Sequence, residues 1–200
     1  MSVFDELAKN WDEKPLRVEN ARRIGQGIID NIPVDKNWKV MDFGAGTGLL
    51  TFYIQPYVKE IDAIDNSKGM LEVLQEKVRK AGVSNINPVF KDLEKDELGS
   101  EEYDLVVSSM TLHHIKDVES LLRKLKKSLK EGGYIAIADL EEEEGDFHSD
   151  NKGVYHFGFS KEKMRGYFEK LGFKDIRLFT VNIINKNNKE YPVFLAIGRK

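Results

Sequence analysis

A doubly wound α/β sheet of seven strands, mostly parallel and ending in an antiparallel hairpin, is the fold this sequence predicts, and three observations predict it. Short β-rich runs alternate with stretches of helical periodicity from residue 38 to residue 172, the pattern of strands wrapped by crossover helices. A turn holding Gly44, Gly46 and Gly48 joins the first run to the stretch after it, as at the ligand-binding end of such sheets. The last two runs are separated only by a short connection with Asn185, Asn187 and Asn188, too short for a parallel return and suited to a hairpin.

Taken in order, Leu16, Val18, Ala21, Ile24, Ile28 and Ile32 fall on or near one face of a helix that Pro33 stops. Strands are predicted over 38–43, 59–64, 86–90, 103–108 and 133–138. Between them, Met70, Leu71, Leu74, Val78 and Ala81 repeat at helical spacing after Ser67, a capping residue, and Gly82 supplies the left-handed stop. Val118, Leu121, Leu122, Leu125 and Leu129 form the next apolar stripe. A last helix starts at Ser160, buries Met164, Tyr167, Phe168 and Leu171, and stops at Gly172; strands over 173–181 and 190–197 close the sheet.

The 200 residues are read as one domain, residues 1–200, because a single core commonly reaches this size and 40% hydrophobic residues suffice to build it. A net charge of −3 provides no field to hold a phosphate backbone, so no nucleic acid partner is expected. The absence of cysteine removes disulfides, thiolate metal sites and thiol nucleophiles. No apolar run is long enough to span a bilayer, and the opening residues carry acids where a signal peptide is apolar. The expected location is therefore cytoplasmic, without a membrane.

Glycines directly after a strand let a ligand approach the backbone, while the following helix presents free N–H groups. Asp65 ends the second strand, 21 positions beyond Gly44, where an acid accepts hydrogen bonds from both hydroxyls of a ribose. A dinucleotide fingerprint needs a third glycine at position 49, which is Leu49, so nicotinamide and flavin chemistry is disfavoured.

The stretch Asp42, Gly44, Gly46, Gly48 instead resembles motif I of the class I S-adenosylmethionine-dependent methyltransferases, and Asp65 is similar to that family's next acid. Lys91-Asp92-Leu93, the Ser108-to-Ile115 string with its paired histidines and the Leu129-to-Gly133 string resemble its later motifs, in the manner of the ubiquinone and menaquinone subgroup. The resemblance runs from about residue 38 to the C-terminus. It implies a Rossmann-like fold and S-adenosyl-L-methionine as cofactor, its methionine end over Gly44, Ala45 and Gly46, with Asp42 behind the loop. Asp65 and Asn66 are then expected at the ribose, Asp92 and Leu93 at the adenine, and Met70 and Ser108 beside them. Trp11, Asp12, Pro15 and Arg17 resemble a lid string, so residues 1–33 are expected to form a helical lid with Trp11 over the donor, or Trp11 simply packs the first helix onto the domain.

The acceptor is narrowed by absences. No Asn/Asp-Pro-Pro-aromatic motif follows the fourth strand, against adenine and amide nitrogens, and without cysteine the family's routes to cytosine C5 and arsenite are closed. A small-molecule acceptor remains, ahead of protein or RNA, with the 139–159 loop expected over it. Seven acids lie between Asp139 and Asp150; such a block is a solvated loop or draws in a cationic acceptor. His148, His156 and His113 are the candidate catalytic bases. His148, Asp150 and His156 match no metal-ligand spacing, so no metal is expected. A non-catalytic cofactor-binding subunit is the rival reading, since a pocket alone does not imply turnover.

Overall fold

The computed structural model describes residues 3–200. In chain order it contains α1 (Val3–Leu7), a 3-10 turn (Ala8–Glu13), α2 (Pro15–Asn31), β1 (Lys39–Phe43), α3 (Leu49–Ile54), β2 (Glu60–Asp65), α4 (Lys68–Ala81), β3 (Ile86–Phe90), β4 (Tyr103–Ser109), a 3-10 turn (Leu112–His114), α5 (Val118–Ser128), β5 (Leu129–Leu140), α6 (Lys161–Lys170), β6 (Lys174–Lys186) and β7 (Lys189–Arg199). The seven strands form one sheet in the order β3-β2-β1-β4-β5-β7-β6. β1 to β5 run parallel, and β7 is antiparallel to both neighbours. The order reverses between β1 and β4, and open sheets of this kind bind ligands in the crevice at that switch point.

Because successive strand residues face opposite sides, each strand feeds two cores. Met41, Val106, Ile135 and Phe194 pack with α5 and α6 on one face. Val40, Leu105, Ala136 and Leu195 pack with α2 and α3 on the other. Ser67 caps α4, its Oγ accepting from Met70 N at 3.2 Å, and Gly82 closes that helix at φ 64°. Ser160 caps α6 in the same way, and Asp117, which the sequence reading passed over, caps α5.

Three expectations are corrected. The N-terminal helix starts at Pro15 and ends before Ile32, and it leaves Leu16 and Val18 in solvent at 49% and 41% exposure. Its Ile24 and Ile28 lie in the core, so α2 is part of the body of the domain rather than of a lid over residues 1–33. Only α1 and the following 3-10 turn lie over α4; residues 1 and 2 of that expected lid lie outside the described residues. At the other end, β5 begins at Leu129, not 133. β6 and β7 reach Lys186 and Lys189, leaving Asn187 (φ 52°) and Asn188 (φ 60°) as the whole turn. Two left-handed residues are what a type I′ hairpin requires, and Asn tolerates them.

Candidate active site

The glycine loop leaves β1 under tension from two sides. Gly44 N–H and Ala45 N–H both donate to the Ile64 carbonyl of β2, at 2.8 and 3.0 Å. Gly46 N–H donates to Asp65 Oδ2 at 2.8 Å, and Ser67 N–H to Asp65 Oδ1 at 2.8 Å. Asp65 thus ties the loop to the start of α4, and the sequence reading, which assigned it to a ribose alone, missed this. Burial raises the Asp65 carboxyl above its ordinary pKa, against the N–H groups of Ser67, Gly46 and Asn66; the Asp5 charge adds to the rise. A carboxylate offers about four lone-pair sites, so these N–H donors leave room for a hydroxyl donor.

Gly44 has φ +69°, and a Cβ there would lie 2.3 Å from the Thr111 side chain. At Gly46, φ +56°, a Cβ would meet, among the described residues, only Met70 Sδ, at 3.9 Å. Gly44 is therefore required by the fold, whereas the space in front of Gly46 is open. Beneath the loop, Asp42 is buried and accepts from Thr51 Oγ1 of α3 at 2.6 Å.

Burial pushes the Asp42 carboxyl up to about 7, opposed by the Thr51 hydroxyl and reinforced by the Asp65 charge. A carboxyl whose folded-state pKa lies above its unfolded value binds an extra proton in the folded state between the two. Its stabilising effect is full below about 4 and fades as pH rises through about 7. Asp42→Asn is accordingly expected to flatten the decline in unfolding free energy between pH 4 and pH 8, by roughly 2–4 kcal/mol. Chemical denaturation across that range checks it, and parallel profiles for the two proteins would refute it.

Above the loop, the N-terminal segment is latched down. Asp5 Oδ1 accepts from Ser67 Oγ (2.6 Å) and Gly69 N–H (2.9 Å). Asp12 accepts from Thr47 Oγ1 and pairs with Lys77 Nζ at 2.6 Å, and Lys77 also donates to the Thr47 carbonyl. Trp11 is half-buried, with the Arg17 guanidinium 3.5 Å over its ring and Phe4 edge-on at 6.0 Å. Asp12 stands in the lid string already singled out; nothing in the sequence marks Asp5.

The adenine-side expectations fare unevenly. Met70 is buried behind Gly46. Asn66 is exposed at the end of β2. Asp92 is engaged by its own turn, accepting from Glu94 N–H at 3.1 Å and pairing with Lys95 at 2.8 Å. Leu93 is a core side chain, and Ser108 Oγ donates to the Phe43 carbonyl at 2.7 Å. Leu93 and Ser108 therefore serve packing and strand registry through their side chains.

At the tips of β4 and β5 the imidazoles gather. His113 is 1% exposed; its Nδ1 lies 2.6 Å from Asp139 Oδ1, and its backbone N–H donates to Asp139 Oδ2 at 3.1 Å. His113 Nε2 lies 3.2 Å from His148 Nε2. His114 lies beside His113 with its ring tilted by 46°, meets Phe4 edge-on, and places its Nδ1 2.8 Å from the Gly153 carbonyl. Burial, then the neighbouring imidazoles, push His114 and His148 down to about 4, so both rings are neutral near pH 7. Asp139 loses solvation by burial, but the His113 ring and the N–H groups of Leu140 and His113 outweigh this and hold it below the ordinary range.

The acidic loop keeps Glu142, Glu144, Asp146 and Asp150 exposed, as a solvated run would, yet several of its groups are hydrogen-bonded into the fold. Glu143 Oε2 accepts the N–H groups of Gly145, Asp146 and Phe147. Glu141 pairs with Lys161, Asp146 pairs with Lys189, and Asp146 also accepts from the Tyr191 hydroxyl. Tyr155 and His156 N–H groups donate to the His113 carbonyl, and Phe159 is fully buried. His148 is carried to His113 by this fold. His156 is not: its Nε2 lies 2.9 Å from the Ile115 carbonyl and its ring packs on Phe159. Tyr155 and Phe157 are about half exposed.

A family model described as a methyltransferase domain matches residues 41–137, from β1 into β5. An uncharacterized methyltransferase of Schizosaccharomyces pombe is 34% identical over 173 residues, covering 79% of this chain and 59% of the relative. Residues 41–137 thus match the methyltransferase-domain family, and the chain resembles the class I S-adenosylmethionine-dependent methyltransferases. Demethylmenaquinone methyltransferase of Bacillus velezensis is 24% identical over 194 residues, 94% of this chain and 76% of that protein. The crystal structure of a SAM-dependent methyltransferase from Aquifex aeolicus shares the fold, with TM-score 0.73 and 23% identity over 98% of this chain and 97% of that one. The chain spans 40–59% of the length of the first curated relatives it matches. In this methyltransferase domain the glycine loop and Asp65 lie inside the matched region, whereas His148 lies beyond it.

Proposed function

We propose that this chain binds S-adenosyl-L-methionine between Gly46 and Asp65 and transfers its methyl group to a small-molecule acceptor beside His148. The observation that carries the reading is the open space at Gly46, next to a carboxylate already oriented by two N–H groups. When bound, the cofactor supplies an activated methyl group on a sulfonium. The chain's own contribution is to hold donor and acceptor in line and to exclude water. α1 and the 3-10 turn cover the donor side through Asp5 and Asp12. The acceptor side is formed by the imidazoles and Phe147, whose ring meets His148 edge-on at 4.9 Å. His113 is too deeply buried to meet an acceptor, so contact falls to His148, which Asp139 positions through His113. No helix of the described residues is long and apolar enough to cross a membrane.

Calorimetry with S-adenosylhomocysteine, followed by labelled-donor transfer in cell extract with mass spectrometry of the product, tests the reading. Absence of binding would refute it, and binding without any labelled product would favour the non-catalytic subunit. Asp65→Ala is expected to weaken S-adenosylhomocysteine binding by about 1–3 kcal/mol. It should also lower the melting temperature, because Gly46 and Ser67 N–H groups lose their acceptor. Unchanged affinity would remove Asp65 from the ribose position.

A further inference from the structure

We infer that His113, His114 and His148 form a site for one divalent late-transition cation such as Zn²⁺, with coordination positions left for an oxygen donor of the methyl acceptor. This deepens the proposed function, placing the ion on its acceptor side. Each histidine offers a ring nitrogen, and the three nitrogens lie within 4.8 Å of one another. Two nitrogens bound to one tetrahedral Zn²⁺ at 2.0–2.1 Å stand about 3.3 Å apart; His113 Nε2 and His148 Nε2 are 3.2 Å apart.

The tautomers are set by groups behind the rings. With Asp139 Oδ1 at 2.6 Å, His113 carries its proton on Nδ1 and keeps the Nε2 lone pair. The Gly153 carbonyl does the same for His114, at 2.8 Å from its Nδ1. For His113 and His114, a carboxylate or carbonyl behind the ring is the arrangement that fixes orientation and raises ligand basicity at metal sites. Neutral imidazoles are the form that binds metal. Asp139, fully buried, is the counter-charge; Lys186, which donates to the Phe147 carbonyl, opposes it.

The chemistry of the site would suit an acceptor with a hydroxyl, enol or carboxylate oxygen. Such an oxygen, bound to the cation, loses its proton near neutral pH and becomes nucleophilic towards the sulfonium methyl carbon. The new O–CH₃ bond forms as the S–CH₃ bond breaks, the bonding pair returns to sulfur, and the proton leaves to solvent.

The experiment uses the untagged full chain, freed of metal with chelator and titrated with Co²⁺. One equivalent is expected to bind with the visible absorption of a low-coordinate, imidazole-bound ion, to be displaced by Zn²⁺, and to raise the melting temperature. His114→Gln and His148→Gln should each weaken Co²⁺ binding by about 100-fold, and Asp139→Asn by about 10–100-fold, while S-adenosylhomocysteine affinity stays unchanged. A wild-type chain that binds S-adenosylhomocysteine but takes up no Co²⁺ overturns the metal site and leaves the methyltransferase reading standing. Co²⁺ uptake unaltered by both glutamine variants overturns it as well. A wild-type chain that binds neither overturns both.

Discussion

Gly46→Val is expected to weaken S-adenosylhomocysteine binding by at least about 100-fold, nearly 3 kcal/mol, while the chain still folds. The reason lies in the difference between two neighbouring glycines. A Cβ at Gly44 collides at 2.3 Å with Thr111, a side chain of the protein itself, whereas at Gly46 the only neighbour among the described residues is Met70 Sδ at 3.9 Å. A valine at Gly46 is strained by φ +56°, at roughly 1–3 kcal/mol, within what a domain of ordinary stability withstands. Its branched side chain fills the space the ligand needs. Gly44→Val adds the collision to the strain and should lose structure as well as binding. Calorimetry and thermal melts on the two variants separate these outcomes; a Gly46→Val protein with normal affinity would remove the loop from the site.

Asp139→Ala should lower the unfolding free energy by about 3–5 kcal/mol, since each buried donor left without its acceptor costs about 1–3 kcal/mol. Asp139 accepts from His113 N–H and Leu140 N–H and faces His113 Nδ1, so truncation leaves three donors without an acceptor inside the protein. His113 also holds the loop, through its carbonyl and the N–H groups of Tyr155 and His156, so the loss spreads to residues 139–159. Denaturant titration measures the change, and the slowly exchanging Nδ1 proton of His113 should vanish from the NMR spectrum. A loss under about 1 kcal/mol, the scale of an exposed pair, would show that the pair is not held as described.

Much of the fold was legible because it depends on local signals. Apolar spacing and capping marked α4, α5 and α6, with Ser67 and Ser160 capping as expected, and the glycine turn marked the end of β1. The limits of local reading show at α2, where periodicity alone could not tell a lid from a core helix. Leu16 and Val18 fit the apolar pattern yet face solvent, since what decides burial is the sheet the helix meets.

At the candidate site the division is sharper. Asp65 and the glycines are close in sequence to the turn they serve, so their chemistry could be read along the chain. Asp5 and Asp12, by contrast, reach Ser67 and Lys77 across more than 60 residues. Asp139 looked like the first member of an acidic run, and only its position as β5 enters the space behind His113 makes it a buried partner. His148 and His156 looked equivalent in the sequence. Glu143 turns the chain so that His148 meets His113, while the return of the loop leaves His156 on Ile115. Residue type and spacing decide which strands, turns and caps form, because those energies are short-range. Which imidazole meets which carboxylate depends on where separate strand ends are brought together, and only the packed sheet sets that.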